Sequence, residues 1–365
     1  MQRKILSFHA QVWKIWCFMF FERYSHSKLK MCRLFGVFIL AFSFSNHCKA
    51  QKGDPNPYAD LFAHSSLSKM ENYVGLGSDW GSRIYNLDTP AKDYVLGLNK
   101  IDGFDESPVE ARNFPSFKKE VIKTLEAEPE PIQSLLKDKL FRIYVCEDLG
   151  GSAISGFIQE NGNTKGGFVL LDAKVLDRKA NEWITYKENS IYTKGRLAVN
   201  VRIEPDEANT KNNALRYILL HEFGHILSGT QKIGPSFFDA FRSYLRFPFF
   251  SGIWKSEKIA SMDTSFFPIR SKIHFYSGSV SLDEEWEKIY PVLEKSPFPT
   301  LYSATNADDF FAESFVSYVH VILEKRPWVL EIKDGEKVLY QMENGITKPS
   351  LEKQREIIRK ILFKL

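Results

Sequence analysis

The apolar and polar positions of the chain divide its middle into strand-like and helix-like stretches. Residues 140–146 (LFRIYVC) and 167–172 (GFVLLD) are short runs rich in aliphatic and aromatic side chains, and Gly150 and Gly151 follow the first as a turn. Residues 184–186 and 191–192 read as short strands, and 197–203 (LAVNVRI) alternates with a strand's period of two. After Pro205 the period changes. A helix is expected to begin around 206–210 and run to about 227, with Gly229 as its stop signal. Helices are also predicted over 115–126, 286–293 and 307–323, the last ending before Pro327. Residues 350–365 form a basic amphipathic pattern that reads as a docked surface helix. The aromatic stretch 237–254 reads as a helix followed by a loop over a cleft. Strands followed by a long helix predict an α+β fold, with helices on one side of a mixed sheet.

The first fifty residues have a different character. Residues 34–45 (LFGVFILAFSFS) are an apolar run of signal-peptide length, preceded by Lys28, Lys30 and Arg33 and followed by Cys48-Lys49-Ala50. The run is too short for a comfortable membrane span, which needs about 20 residues. It predicts a targeting segment over 1–50, cleaved near Ala50, with Met31 as an alternative start. A lipid on Cys48 and an uncleaved N-terminal anchor are the other two forms. Each makes the body secreted, periplasmic or envelope-associated, with membrane contact only through the N-terminus. The body divides into an N-terminal region over 51–132 and a main domain over 133–365.

Composition narrows the chemistry. The formal net charge of +4 comes with no concentrated Lys/Arg block in the body, so nucleic acid is not an expected partner. Of the four cysteines, Cys17, Cys32 and Cys48 lie before residue 51, which leaves Cys146 alone in the body. A metal held there must use histidines and carboxylates.

Those residue types converge in His221-Glu222-Phe223-Gly224-His225. Residues four apart share a helix face, so His221 and His225 can present two imidazole nitrogens to one zinc ion. Glu222 lies at the edge of the same site, where it can take a proton from water and pass it on. A catalytic zinc needs a third protein ligand. Downstream, Asp309 and Glu313 are four apart on one predicted helix face, and their spacing leaves open which of them binds. Asp308 is offset and reads as a capping or solvent-facing residue. His274 and His320 are spare histidines of the kind that more often serve structure.

The HEFGH string, followed by Tyr302, six residues, Asp309 and then Phe-Phe-Ala-Glu-Ser-Phe, resembles the gluzincin peptidases of the anthrax lethal factor group and related bacterial zinc enzymes. The resemblance covers some 35 residues of two helices and a tyrosine. It implies a zincin-like catalytic domain, a zinc cofactor and a peptide or protein substrate cut by an endopeptidase. It implies Asp309 as third ligand, Glu313 as the carboxylate that orients a ligand histidine, and Tyr302 as the stabiliser of the oxyanion. The family has Glu at the ligand position, one methylene longer than Asp. Either the helix bearing Asp309 sits closer to the metal, or Glu313 takes over coordination. The resemblance further implies an edge strand before the zinc helix that binds extended substrate, for which 197–203 is the candidate. Two other functions share these residues: a non-catalytic zincin-like surface protein that binds a host or envelope partner, and an amidase acting on cell-wall peptides.

Overall fold

The run Ile143-Tyr144-Val145-Cys146 has no polar face, and a strand of that kind requires cover on both sides. The computed structural model describes residues 56–364 except position 264, and it shows both faces covered. The targeting segment expected over 1–50 lies outside the described residues.

The first half of the body comprises α1 (Ala59–His64), β1 (Ile84–Asn86), α2 (Thr89–Asp102), β2 (Val109–Glu110), α3 (Phe114–Glu126) and α4 (Glu130–Lys139). Three longer strands follow: β3 (Leu140–Glu147), β4 (Ala153–Glu160) and β5 (Asn163–Asp172). Next come α5 (Ala180–Asn189), β6 (Tyr192–Thr193), β7 (Leu197–Arg202) and α6 (Lys211–Thr230). The chain closes with β8 (Val280–Ser281), α7 (Leu282–Lys295), α8 (Ala307–Ser317), β9 (Val329–Asp334), β10 (Lys337–Glu343) and α9 (Glu352–Phe363).

The main sheet is mixed, as expected, in the order β1-β3-β5-β4, with β2 also on β3. β1, β3 and β5 are parallel, while β4 runs antiparallel to β5 with Ala153 opposite Leu171. Ile143, Val145, Val169 and Leu171 face a core shared with α3, α5, α6 and α8. Tyr144, Cys146, Phe168 and Leu170 face a second core closed by Phe62 of α1 and by Tyr94, Val95 and Leu98 of α2. Helical cover on one side only is therefore corrected. Each large apolar side chain buried on that second face contributes about 1.5–3 kcal/mol. Positions 132 and 133, where the sequence places a boundary, both lie in α4.

β7, β9 and β10 form a separate antiparallel sheet in which β7 is terminal. The outer edge of β7 was the expected substrate strand, but side chains of α5 close it. Asn189 donates to Val199 O at 2.6 Å and accepts from Val199 N at 3.0 Å. Thr185 Oγ1 does the same for Val201, and Asn181 Oδ1 accepts from Ile203 N at 2.8 Å. Four residues of helix rise about 6 Å and two residues of strand about 6.7 Å, so a helix with polar groups every fourth position matches the ladder. The short strand expected over 184–186 is thus part of α5, and the pair 191–192 meets a strand only at Tyr192.

α6 is capped by Thr210, whose hydroxyl accepts from Asn213 N, and it runs through Gly229 rather than stopping there. It is apolar on nearly every side because β4 and β5 lie on one flank and α3, α5 and α8 on others. α8 continues into a π-helical turn over Tyr318–Leu323. The 237–254 stretch contains no helix, and none of its residues lines the small cavity beside His221 and Glu222. Phe249, Phe250 and Trp254 are buried in ring contact with Phe310 of α8. α9 docks by Ile358 and Leu362. No helix among the described residues is long and apolar enough to cross a membrane.

Candidate metal centre

α6 and α8 cross where their side chains are smallest. A Cβ added to Gly224 would stand 2.8 Å from Ala312 Cα, so the glycine between the two histidines sets how closely the helices approach. This brings one turn of α8 against His221 and His225. Asp309 Oδ1 lies 3.5 Å from His221 Nε2 and 3.3 Å from His225 Nε2. These three residues offer ligand atoms within 4.8 Å of one another and could hold a metal ion. The two acidic residues of α8 face different atoms of the histidines. Asp309 faces the two outer ring nitrogens, and Glu313 Oε1 faces the inner Nδ1 of His221 at 3.0 Å.

The Asp309 carboxylate is fixed by its own turn. Asn306 caps α8 by accepting from Asp309 N at 2.8 Å, and Asn306 Nδ2 and Thr305 Oγ1 donate to Asp309 Oδ2 at 2.6 and 3.0 Å. Oδ1 is left to the histidines. Burial opposes ionisation of Asp309, but the imidazoles of His221 and His225 outweigh it and hold the carboxyl far below its usual range. For Glu313 burial again opposes, and Lys187, His221 and Thr300 together bring the carboxyl down to about 2. Thr300 Oγ1 donates to Glu313 Oε2 at 2.8 Å. Burial pushes His221 down, yet Asp309 and Glu313 raise it to about 10.

Glu222 is buried and lines a small cavity with His221, Tyr302, Trp183, Ile218, the first residue of β4, Ala153, and the turn residues Gly151 and Ser152 before it. The ring of Tyr302 lies 5.4 Å from that of His221 and packs edge-on against Phe275. Burial lifts the Tyr302 phenol well above its ordinary value, with Asp309 adding to the rise, so it remains a donor at neutral pH. The turn that carries Tyr302 is tied down by Arg270, which donates to Ala304 O at 2.6 Å and Thr305 O at 3.1 Å.

The remaining candidates fall elsewhere. Asp308, expected to cap or face solvent, is gripped by Arg242 at 2.6 and 2.8 Å and by Tyr244 at 2.7 Å, which anchors the aromatic stretch to α8. His274 is exposed on an open groove beside Lys272 and Glu284. His320 is buried outside the centre, with Nε2 against Ile203 O and Pro327 O. Lys187, Thr300, Thr305 and Asn306 also touch the acidic pair, and none of them belongs to a motif in the sequence. Only Asn306, three residues before Asp309, carries a readable signal, that of a helix cap. Comparison of the chain with protein-family models, curated proteins and solved structures finds no match among any of the three.

Proposed function

We propose that this chain is a zincin-like, zinc-dependent endopeptidase whose metal ligands are His221, His225 and Asp309. The observation that carries the reading is the spacing of the three donors. Bonds of about 2.0–2.1 Å at a tetrahedral angle put neighbouring donor atoms about 3.3 Å apart, and Asp309 Oδ1 stands 3.3 and 3.5 Å from the two imidazole nitrogens. Two neutral imidazoles and one carboxylate are a zinc donor set, and three protein ligands leave a position open.

Zinc, when bound, supplies Lewis acidity that makes water more acidic and polarises a carbonyl. The chain supplies the rest. Glu222 takes the proton of the attacking water and returns it to the departing amine nitrogen, a role worth about 10²–10⁴ in rate. The Tyr302 hydroxyl donates to the carbonyl oxygen as it gains charge. Glu313 and Thr300 hold the plane of His221. Gly151, Ser152 and Ala153 border the cavity beside His221 and Glu222, and β4 is the terminal strand of the main sheet. An extended peptide laid along the start of β4 therefore reaches the site, whereas β7 is closed to one.

The test is zinc content together with hydrolysis of an unfolded protein by the full chain. The expected result is about one zinc per chain in the wild type and in Glu222→Gln, loss of zinc in His225→Ala, and hydrolysis by the wild type alone. A wild-type protein that cannot retain zinc overturns the reading, and so does a Glu222→Gln variant that still cleaves.

A further inference from the structure

One buried group beside the cavity takes no part in the scheme above. Lys187, near the end of α5, has 4% of its side chain exposed. Burying an ammonium costs several kcal/mol unless opposite charge surrounds it. Its Nζ lies 3.4 Å from Glu188 Oε1, 3.7 Å from Glu313 Oε1 and 4.1 Å from the centre of the Tyr302 ring. Burial opposes the charge, and Glu313 and Glu188 outweigh it and raise the lysine's pKa. The same Glu313 oxygen faces His221 Nδ1. A single ammonium thus joins the carboxylate that orients a histidine to the ring of the candidate oxyanion donor. A compact charge with three donors on a flexible stem can serve both neighbours at once. A cation against the ring face also draws electron density from the phenol, which makes its hydroxyl a better donor.

We infer that Lys187 is a positioning residue of the hydrolytic centre, seating the Tyr302 ring and linking it to Glu313 so that the Tyr302 hydroxyl is held where the substrate oxygen gains charge. This rests on the peptidase reading, and two measurements separate the fates of the two ideas. The first compares Lys187→Met, Tyr302→Phe and the double variant in the full, zinc-loaded chain. Lys187→Met is expected to lower kcat about tenfold with KM nearly unchanged and zinc retained, and Lys187→Arg to recover part of the loss. In the Tyr302→Phe background the same substitution is expected to cost less than about twofold, because the hydroxyl it serves is gone. An equal loss in both backgrounds overturns the inference and leaves Lys187 a buried counter-ion only. The second measurement follows isotope-labelled tyrosine by NMR at fixed pH, the Tyr302 signal being the one missing from Tyr302→Phe. Lys187→Met is expected to shift that signal. A signal that stays in place overturns the inference whatever the activity. A signal that Lys187→Met does shift, beside a wild-type chain that hydrolyses nothing, removes the peptidase reading and keeps Lys187 as the seat of Tyr302. Should Lys187→Met fail to fold, Lys187→Arg carries both comparisons, its Tyr302 signal and kcat moving together if the inference holds and staying fixed if it does not.

Discussion

Asp309 and Glu313 sit one helical turn apart on α8 and differ by a methylene, yet their oxygens face different atoms of the same histidine. Their spacing was legible in the sequence; their division of labour followed only from the family resemblance, not from the spacing. It depends on Thr305 and Asn306 holding the Asp309 oxygen Oδ2, and on Thr300 and Lys187 drawing Glu313 the other way. Lys187 and Thr300 belong to other segments, and no local pattern announces them. The two carboxylates should fail differently when altered. Asp309→Ala is expected to lose zinc outright, whereas Glu313→Gln should keep a site weakened about 10–100-fold. Competition against a chelator of known affinity measures both, and a weaker grip in Glu313→Gln than in Asp309→Ala would reverse their roles.

At the level of elements, the short reach of aspartate calls for a close crossing of α6 and α8, and Gly224 against Ala312 supplies one. Gly224→Ala must push the helices apart or tilt them. The expected cost is about 1–3 kcal/mol of stability, with a fall in zinc affinity that an exposed alanine substitution of similar destabilisation would not share. Urea unfolding and metal titration of the two variants together check this. The strongly periodic elements were readable: the helix predicted over 115–126 is α3, and the helix expected to end near 227 is α6, differing only at its ends. Ile184-Thr185-Tyr186 is a run of strand-forming side chains that hides α5 in the sequence, although the helix turns Thr185 toward β7. β4 escaped notice because Ser155 and Gly156 interrupt its apolar run, and Gly156 is there because a Cβ would strike the Phe168 ring at 2.1 Å. The β9–β10 hairpin carries a plain signal in Asp334-Gly335, with Gly335 at φ +57°.

For the molecule as a whole, both faces of the main sheet are closed only if the residues before 133 are present. A fragment beginning at 133 would bare Tyr144, Phe168 and Leu170, which α1 and α2 cover. It is expected to aggregate or to lack near-ultraviolet circular dichroism, and a soluble, cooperatively folding fragment would establish a boundary there. Acid sensitivity is a second property of the whole. Burial, then Arg216, depresses His320 to about 4. With Nε2 donating to backbone carbonyls, the proton would have to go on Nδ1, which has no partner. The unfolded chain takes up that proton near pH 6.5. The stability His320 confers is therefore complete above about 6.5 and is lost as pH falls towards 4, a change of about 3 kcal/mol. Urea midpoints across that range should fall less steeply for His320→Gln than for the wild type.

The polar ladder that α5 lays along β7 bears on how copies of this chain behave together. A terminal strand with bare amides is a template on which another chain can grow, and proteins commonly fend this off with charge, proline or a bulge. Here Asn181, Thr185 and Asn189 imitate the missing neighbour and occupy the groups an intruder would need. The blockade lasts only as long as the helix stays wound, so loosening of α5 would be the opening step of self-assembly through this sheet.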